Sequence, residues 1–282
     1  MEPFVILLVL AAAIMHAVWN SILKVGADRL MTMAVVIGVG GVLSVTLLIG
    51  GPPPAPESWF YIGLSAAIHC AYFFFLIQAY EVGDLSHAYP LARGSAPLMV
   101  AAGGAWFADE FLSPLEIFAV VVISAGIISL MLTGNGGSHR TNWRTLAYPL
   151  ATGMMIAAYT VTDGLGVRLS GNPASYIGWL FVLSALPIVA FAIHRRRRAV
   201  FDFLKLYGKR AIAGGVLAFC AYALAIWALS LGVMVHVSAL RETSVVIAAL
   251  IGTLLLGEPY GLRRVLSAST VAGGVILLLM AA

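Results

Sequence analysis

The chain has 282 residues, 61% of them hydrophobic and only 10% charged, where an ordinary soluble domain carries roughly 25%. With a mean hydropathy of +1.00 it cannot be a water-soluble globule, and its net charge of +4 is spread too thinly to line a nucleic-acid groove. A membrane-embedded chain remains, with lipid as its expected surroundings.

Segments of about 20 apolar residues can cross the hydrocarbon core, and ten occur in order: 4–24, 30–50, 59–80, 85–108, 114–133, 144–166, 173–194, 210–231, 236–256 and 263–281. The first follows Glu2 without a basic flank and runs on to Leu23, so it reads as a membrane helix and not as a cleavable signal. Gly50–Pro56, with four prolines, breaks the second segment from the third, and Gly171–Pro173 breaks the sixth from the seventh. Gly134–Ser138 divides the chain, giving a first unit over 1–133, a linker over 134–143 and a second unit over 144–282.

The second unit repeats the first. Leu10, Ala11, Met15, Ala17 and Gly26 return as Leu150, Ala151, Met155, Ala157 and Gly166. Cys70, Ala71 and Tyr72 return as Cys220, Ala221 and Tyr222, and Gly83, His87 and Leu91 as Gly232, His236 and Leu240. Arg93, Gly104, Glu110, Gly126 and Leu130 return as Arg241, Gly252, Glu258, Gly274 and Leu278. The offset grows from 140 to 150 across a longer loop around Arg195–Arg198, then settles at 148. Five spans per unit is an odd number, so the second copy enters the membrane from the other side. The predicted fold is an all-α membrane protein of ten transmembrane helices, two inverted five-helix repeats around a central cavity. Fused halves complete that cavity without a partner subunit, which predicts a monomer. Cys70 and Cys220 read as buried free thiols, a disulfide requiring the repeat axis to pass between them.

Thirteen of the 16 lysines and arginines fall in the loops after the first, fifth, seventh and ninth spans, while the opposite face holds only Arg168. Positive loops stay in the cytoplasm, so both termini are predicted to face outward. The Arg195–Arg198 run has a second reading as a lipid-headgroup patch.

An ionisable side chain within hydrocarbon costs about 2.5–3.5 kcal/mol, so each needs a reason. Arg93 lies deep in the fourth span on one face with Tyr89 and Pro97, followed by the small residues Ala101, Gly104 and Ala108. Ser238, Arg241, Val245, Ala248 and Gly252 repeat that stripe in the ninth. Either the stripe walls a wet cavity and Arg93 meets a solute, or Arg93 and Arg241 pair with carboxylates such as Asp163 or Glu242 and lock helices together. His87 and His236 sit at equivalent helix starts, where they either titrate and couple a proton to transport or hydrogen-bond at the interface. Tyr159 and Tyr222, with Tyr72, Tyr80 and Tyr89, supply rings for an amphipathic pocket. No phosphate-binding loop, metal-ligand spacing, nucleophile signature or cofactor motif occurs, so no enzyme is expected.

The ten-span duplicated plan, with Gly104-Ala105-Trp106-Phe107-Ala108-Asp109-Glu110-Phe111-Leu112-Ser113 closing one half's fourth span and Gly252-Thr253-Leu254-Leu255-Leu256-Gly257-Glu258-Pro259 closing its counterpart, resembles the drug/metabolite transporter superfamily, in particular its EamA-type bacterial permeases. The resemblance implies a secondary transporter whose first, third, fourth, sixth, eighth and ninth helices surround the cavity. The loop from Gly50 to Ser58 departs from many relatives in lacking a basic cluster. The leading expectation is an exporter of amino acids or similar small zwitterionic metabolites. Arg93, helped by His87 or Arg241, holds the carboxylate, Glu242 or Asp163 receives the ammonium, and Tyr89, Tyr159 and Tyr222 touch the side chain. A phosphorylated, phosphonate or nucleotide-sugar anion is the alternative solute. A membrane interaction or sensor protein with structural charges is the alternative of another class.

Overall fold

A computed structural model describes residues 1–23, 29–82, 85–133, 143–196, 199–254 and 262–282. Lys24, the linker over 134–142, Arg197, Arg198 and the ninth-span ending with Glu258 lie outside the described residues, as do the side chains of His87, Arg263 and Arg264. The helices are α1 (Pro3–Leu23), α2 (Arg29–Leu48), α3 (Trp59–Val82), α4 (Leu85–Phe107), α5 (Pro114–Ser129), α6 (Trp143–Leu169), α7 (Pro173–Arg196), α8 (Ala199–Leu231), α9 (Met234–Arg241), α10 (Thr243–Leu254) and α11 (Leu262–Ala281). Because α9 and α10 are parted by Glu242 alone, the eleven helices form ten rods.

Seven of these rods are long and apolar enough to cross a membrane, and α5 and α11 are shorter apolar helices. α4 falls short for a chemical reason: it carries Arg93, Ser95, Pro90 and Pro97. Its polarity is tolerable because Arg93 and Ser95 are buried among other helices. The bundle's outside is apolar, with Leu7, Val42, Phe74, Ile117, Phe191 and Ile276 exposed, as a chain solvated by lipid requires.

Most of the main helix contacts recur when the two halves are exchanged, although α6 and α7 also pack on α8 without a comparable contact of α1 or α2 on α3. α2 packs on its counterpart α7, and α5 on its counterpart α11. α3 on α6 is answered by α1 on α8, α4 on α6 by α1 on α9 and α10, and α3 on α7 by α2 on α8. Gly126 and Gly274, repeat mates, permit the α5–α11 contact: a Cβ on Gly126 would lie 2.9 Å from Val271 Cγ2, and one on Gly274 2.7 Å from Ile123 Cγ1. Both distances are closer than a real Cβ approaches a neighbour, so only glycine fits.

Two differences from the expected spans have local causes. The ninth span is interrupted at Glu242, where the turn tightens: Glu242 N–H bonds to the Ala239 and Leu240 carbonyls, and Val245 N–H bonds to the Glu242 carbonyl at 2.9 Å. The Thr243 hydroxyl donates to the Leu240 carbonyl at 2.8 Å, the kind of side-chain competition that bends helices. The basic loop after the seventh span is largely helical, since α7 runs to Arg196 and α8 begins at Ala199. Phe203 explains the extension: it buries against Met31 and Ala211, pinning the start of α8 to α2. Cys70 and Cys220 are free thiols, each half-buried.

Candidate functional site

Arg93 of α4 and Glu242 face each other across the two halves. Arg93 Nη2 lies 2.8 Å from Glu242 Oε1, Arg93 Nε donates to Glu242 Oε2 at 3.1 Å, and Nη2 reaches Ser244 Oγ at 3.4 Å. Both residues are almost wholly buried, at 6% and 2% exposure. Burying a lone ion costs several kcal/mol, and only a hydrogen-bonded partner of opposite charge makes such a position tenable. The tightened turn at Glu242 brings Glu242 and Ser244 onto Arg93 together. Of the two readings of Arg93, the ion pair is therefore present, and its partner is Glu242.

Beside the pair stands an aromatic group drawn from α3, α6 and α8. Tyr159 stacks on His69 with ring centroids 4.3 Å apart and meets Tyr72 and Tyr222 edge-on at 5.7 and 5.6 Å. His69 Nδ1 lies 2.8 Å from the Ser65 carbonyl, which fixes the ring's orientation. The Arg241 guanidinium lies 5.4 Å from the Tyr222 ring centre, a cation–π contact. Among the described residues, no carboxylate forms an ion pair with Arg241. Asp163, fully buried, accepts a hydrogen bond from Tyr176 Oη at 3.0 Å and another from Tyr222 Oη. Tyr222 thus joins Asp163 on its hydroxyl edge to Arg241 on its face.

Tyr89 lies one turn before Arg93, within electrostatic range of Arg93, Glu242 and Arg241. On α1, Trp19 Nε1 donates to His16 Nδ1 at 3.3 Å, and His16 is within range of both arginines. His16, His69, Tyr72, Tyr89, Tyr222 and Arg241 are all half-buried. His69 and Tyr72 of the first half meet Tyr159 and Tyr222 of the second.

At one end of the bundle polar contacts join the two halves. At the end of α4 the Gly104 carbonyl accepts from both Ala108 N–H and Glu110 N–H, and Asp109 turns the chain at φ 53, in the left-handed position usually given to glycine. This turn aims Glu110 at Arg168 Nη2, 2.7 Å away. Arg168 also donates to the Leu229 and Gly232 carbonyls, and Glu110 Oε2 accepts the Met234 N–H at 2.8 Å. Next to it, Ser113 and Glu116 form a capping box that starts α5. Glu116 Oε1 lies 2.7 Å from His236 Nε2.

The structure accordingly gathers Tyr89, Arg93, Tyr159, Asp163, Tyr222, Arg241 and Glu242 into one region and sets His236 apart, among the polar contacts at the end of the bundle. His87 lies in the first turn of α4, with its side chain outside the described residues. Sequence reasoning misses His69 and Tyr176 as members of this region. The Ser65, His69, Tyr72 spacing on α3 is the available signal, a polar and aromatic stripe on one helix face. Among the described residues, no group of three or more His, Cys, Asp and Glu is gathered to hold a metal ion.

The two halves of this apolar helical bundle thus meet on a buried ion pair beside a cluster of aromatic rings. Residues 143–280 match the EamA-like transporter family, part of the drug/metabolite transporter superfamily. The chain is a multi-pass membrane protein, and the family that its second half matches is one of transporters. A solved crystal structure of a protein overlays on the whole chain with a TM-score of 0.78 at 15% identity, covering 98% of that protein. At that identity the likeness establishes the fold alone. No curated protein sequence matches the chain.

Proposed function

We propose that the protein is a secondary transporter exporting amino acids or similar small zwitterionic metabolites across the bacterial inner membrane, with the Arg93–Glu242 pair as its binding centre. The observation carrying this reading is that the pair is buried, bidentate and contributed by both halves. A zwitterion is the solute that parts such a pair without leaving either member uncompensated: its carboxylate takes Arg93 and its ammonium takes Glu242. A simple anion or cation would strand one buried charge, at a cost of several kcal/mol. Tyr89, Tyr159 and Tyr222 bound the space for the side chain, and Asp163, held by two tyrosines, positions Tyr222.

Alternating access then consists of rocking two inverted repeats, 1–133 and 144–282, about this centre. The helix contacts that recur between the halves support that arrangement. The charge bias supports periplasmic termini, which puts the Arg168 and His236 contacts at the periplasmic end. Coupling to protons through His236 and Glu116 belongs to the same reading, since breaking their contact opens that end. Arg241, without a carboxylate partner among the described residues, favours a second reading in which an organic anion binds there. Overproducing cells test the first reading: they gain resistance to toxic amino-acid analogues, and cells making E242Q do not. Unchanged sensitivity with wild-type protein verified in the membrane would overturn it.

A further inference from the structure

α8 is far longer than a membrane crossing needs. Its 33 residues rise about 50 Å at 1.5 Å each, against a hydrocarbon thickness of roughly 30 Å. Counted back from Leu231, a core of that thickness would end near Ala211 and leave the turns before it at headgroup depth. Those turns are held in place, because Phe203 is buried against Met31 and Ala211 on α2 and α8. They carry Lys205, Lys209 and Arg210, all exposed, and among the described residues none of the three forms an ion pair. Together with Leu206 and Tyr207 these cations border a shallow, open cleft on the surface of α8 itself. Leu206, 73% exposed beside them, offers an apolar contact at the level where acyl chains begin.

We propose that this cleft is a binding site for the headgroup of one anionic phospholipid, its phosphate held by Lys205, Lys209 and Arg210 and its upper acyl chain lying on Leu206. Charge complementarity selects the occupant: three cations without acidic partners among the described residues attract an anionic lipid and discriminate against a zwitterionic one. The site is separate from the solute centre and does not depend on what is transported.

Native mass spectrometry of the full-length, delipidated protein tests it, with phosphatidylglycerol and phosphatidylethanolamine titrated in turn. A one-to-one phosphatidylglycerol adduct is expected, weakened on the order of 100-fold in K205Q/K209Q/R210Q, or about fivefold for each cation removed singly. The control R144Q/R195Q, altered elsewhere on the basic loops, is expected to keep full affinity. Equal binding of the two lipids, or equal loss in the control, would overturn the proposal. So would inorganic phosphate at millimolar concentration displacing the lipid, which would make the cleft a site for free anions. If the triple variant fails to fold, the three single variants carry the same test.

Discussion

Arg93 and Glu242 are 149 positions apart in the chain and hold each other by two nitrogens and two oxygens, at 2.8 and 3.1 Å. They are not repeat mates, for the counterpart of Arg93 is Arg241. The halves thus share most of a packing pattern but differ at the centre. One contributes an arginine engaged with a carboxylate, the other an arginine lying on a tyrosine ring.

The pair is expected to behave as a unit. R93M or E242L alone strands a buried charge and should lower stability by about 3–5 kcal/mol, while R93M/E242L should recover most of the loss. Thermal unfolding of the four proteins in detergent closes the double-mutant cycle. Additive losses would mean that the two side chains do not interact.

Tyr222 has two duties that separate cleanly. Y222F removes the hydroxyl from buried Asp163 and should cost about 1–3 kcal/mol, yet it retains the ring beneath Arg241. Y222L removes both and should cost about 0.5–2 kcal/mol more. Chemical denaturation of the two variants measures the difference.

At the end where polar contacts join the halves, Glu116 serves both the α5 cap and His236, whereas His236 serves only the latter contact. E116A should therefore destabilise more than H236A, by about 0.5–2 kcal/mol, the usual range for a lost cap. Hydrogen exchange at the start of α5 is expected to rise in E116A and to stay near wild type in H236A.

The α5–α11 contact leaves no room for a larger residue. G274V forces Ile123 aside and should lower stability by at least about 1–3 kcal/mol. At the neighbouring Gly273 an added Cβ would meet nothing within 4 Å, so G273A should be near neutral. Melting temperatures of the two variants check the contrast.

Much of this is legible in residue order. Segment length and composition locate the rods, because apolar runs of spanning length admit few other fates. The cost of an ion in oil singles out Arg93, and the proximity of Glu242 to Arg241 in the repeat makes it a candidate partner. The choice between solute and partner for Arg93 is not legible, since it turns on side chains meeting across 149 positions. The break at Glu242 is hidden because no proline or glycine marks it; a threonine hydroxyl competes there for a backbone carbonyl instead. His236 looks like a cavity residue because it mirrors His87, but the Ser113 capping box places Glu116 against it. The long α8 is obscured by its basic residues, which read as loop until Phe203 is seen buried on α2.

The central claim is that a zwitterion parts the Arg93–Glu242 pair, and ligand-induced thermal stabilisation of purified protein tests it most directly. A panel of amino acids, each with its amide and its decarboxylated amine, would be screened on wild type and on folded R93M/E242L. At least one amino acid is expected to raise the melting temperature of wild type, its amide and amine are not, and the double variant should show no response to any of the three. Stabilisation of R93M/E242L by the same amino acid, equal to that of wild type, would contradict the account.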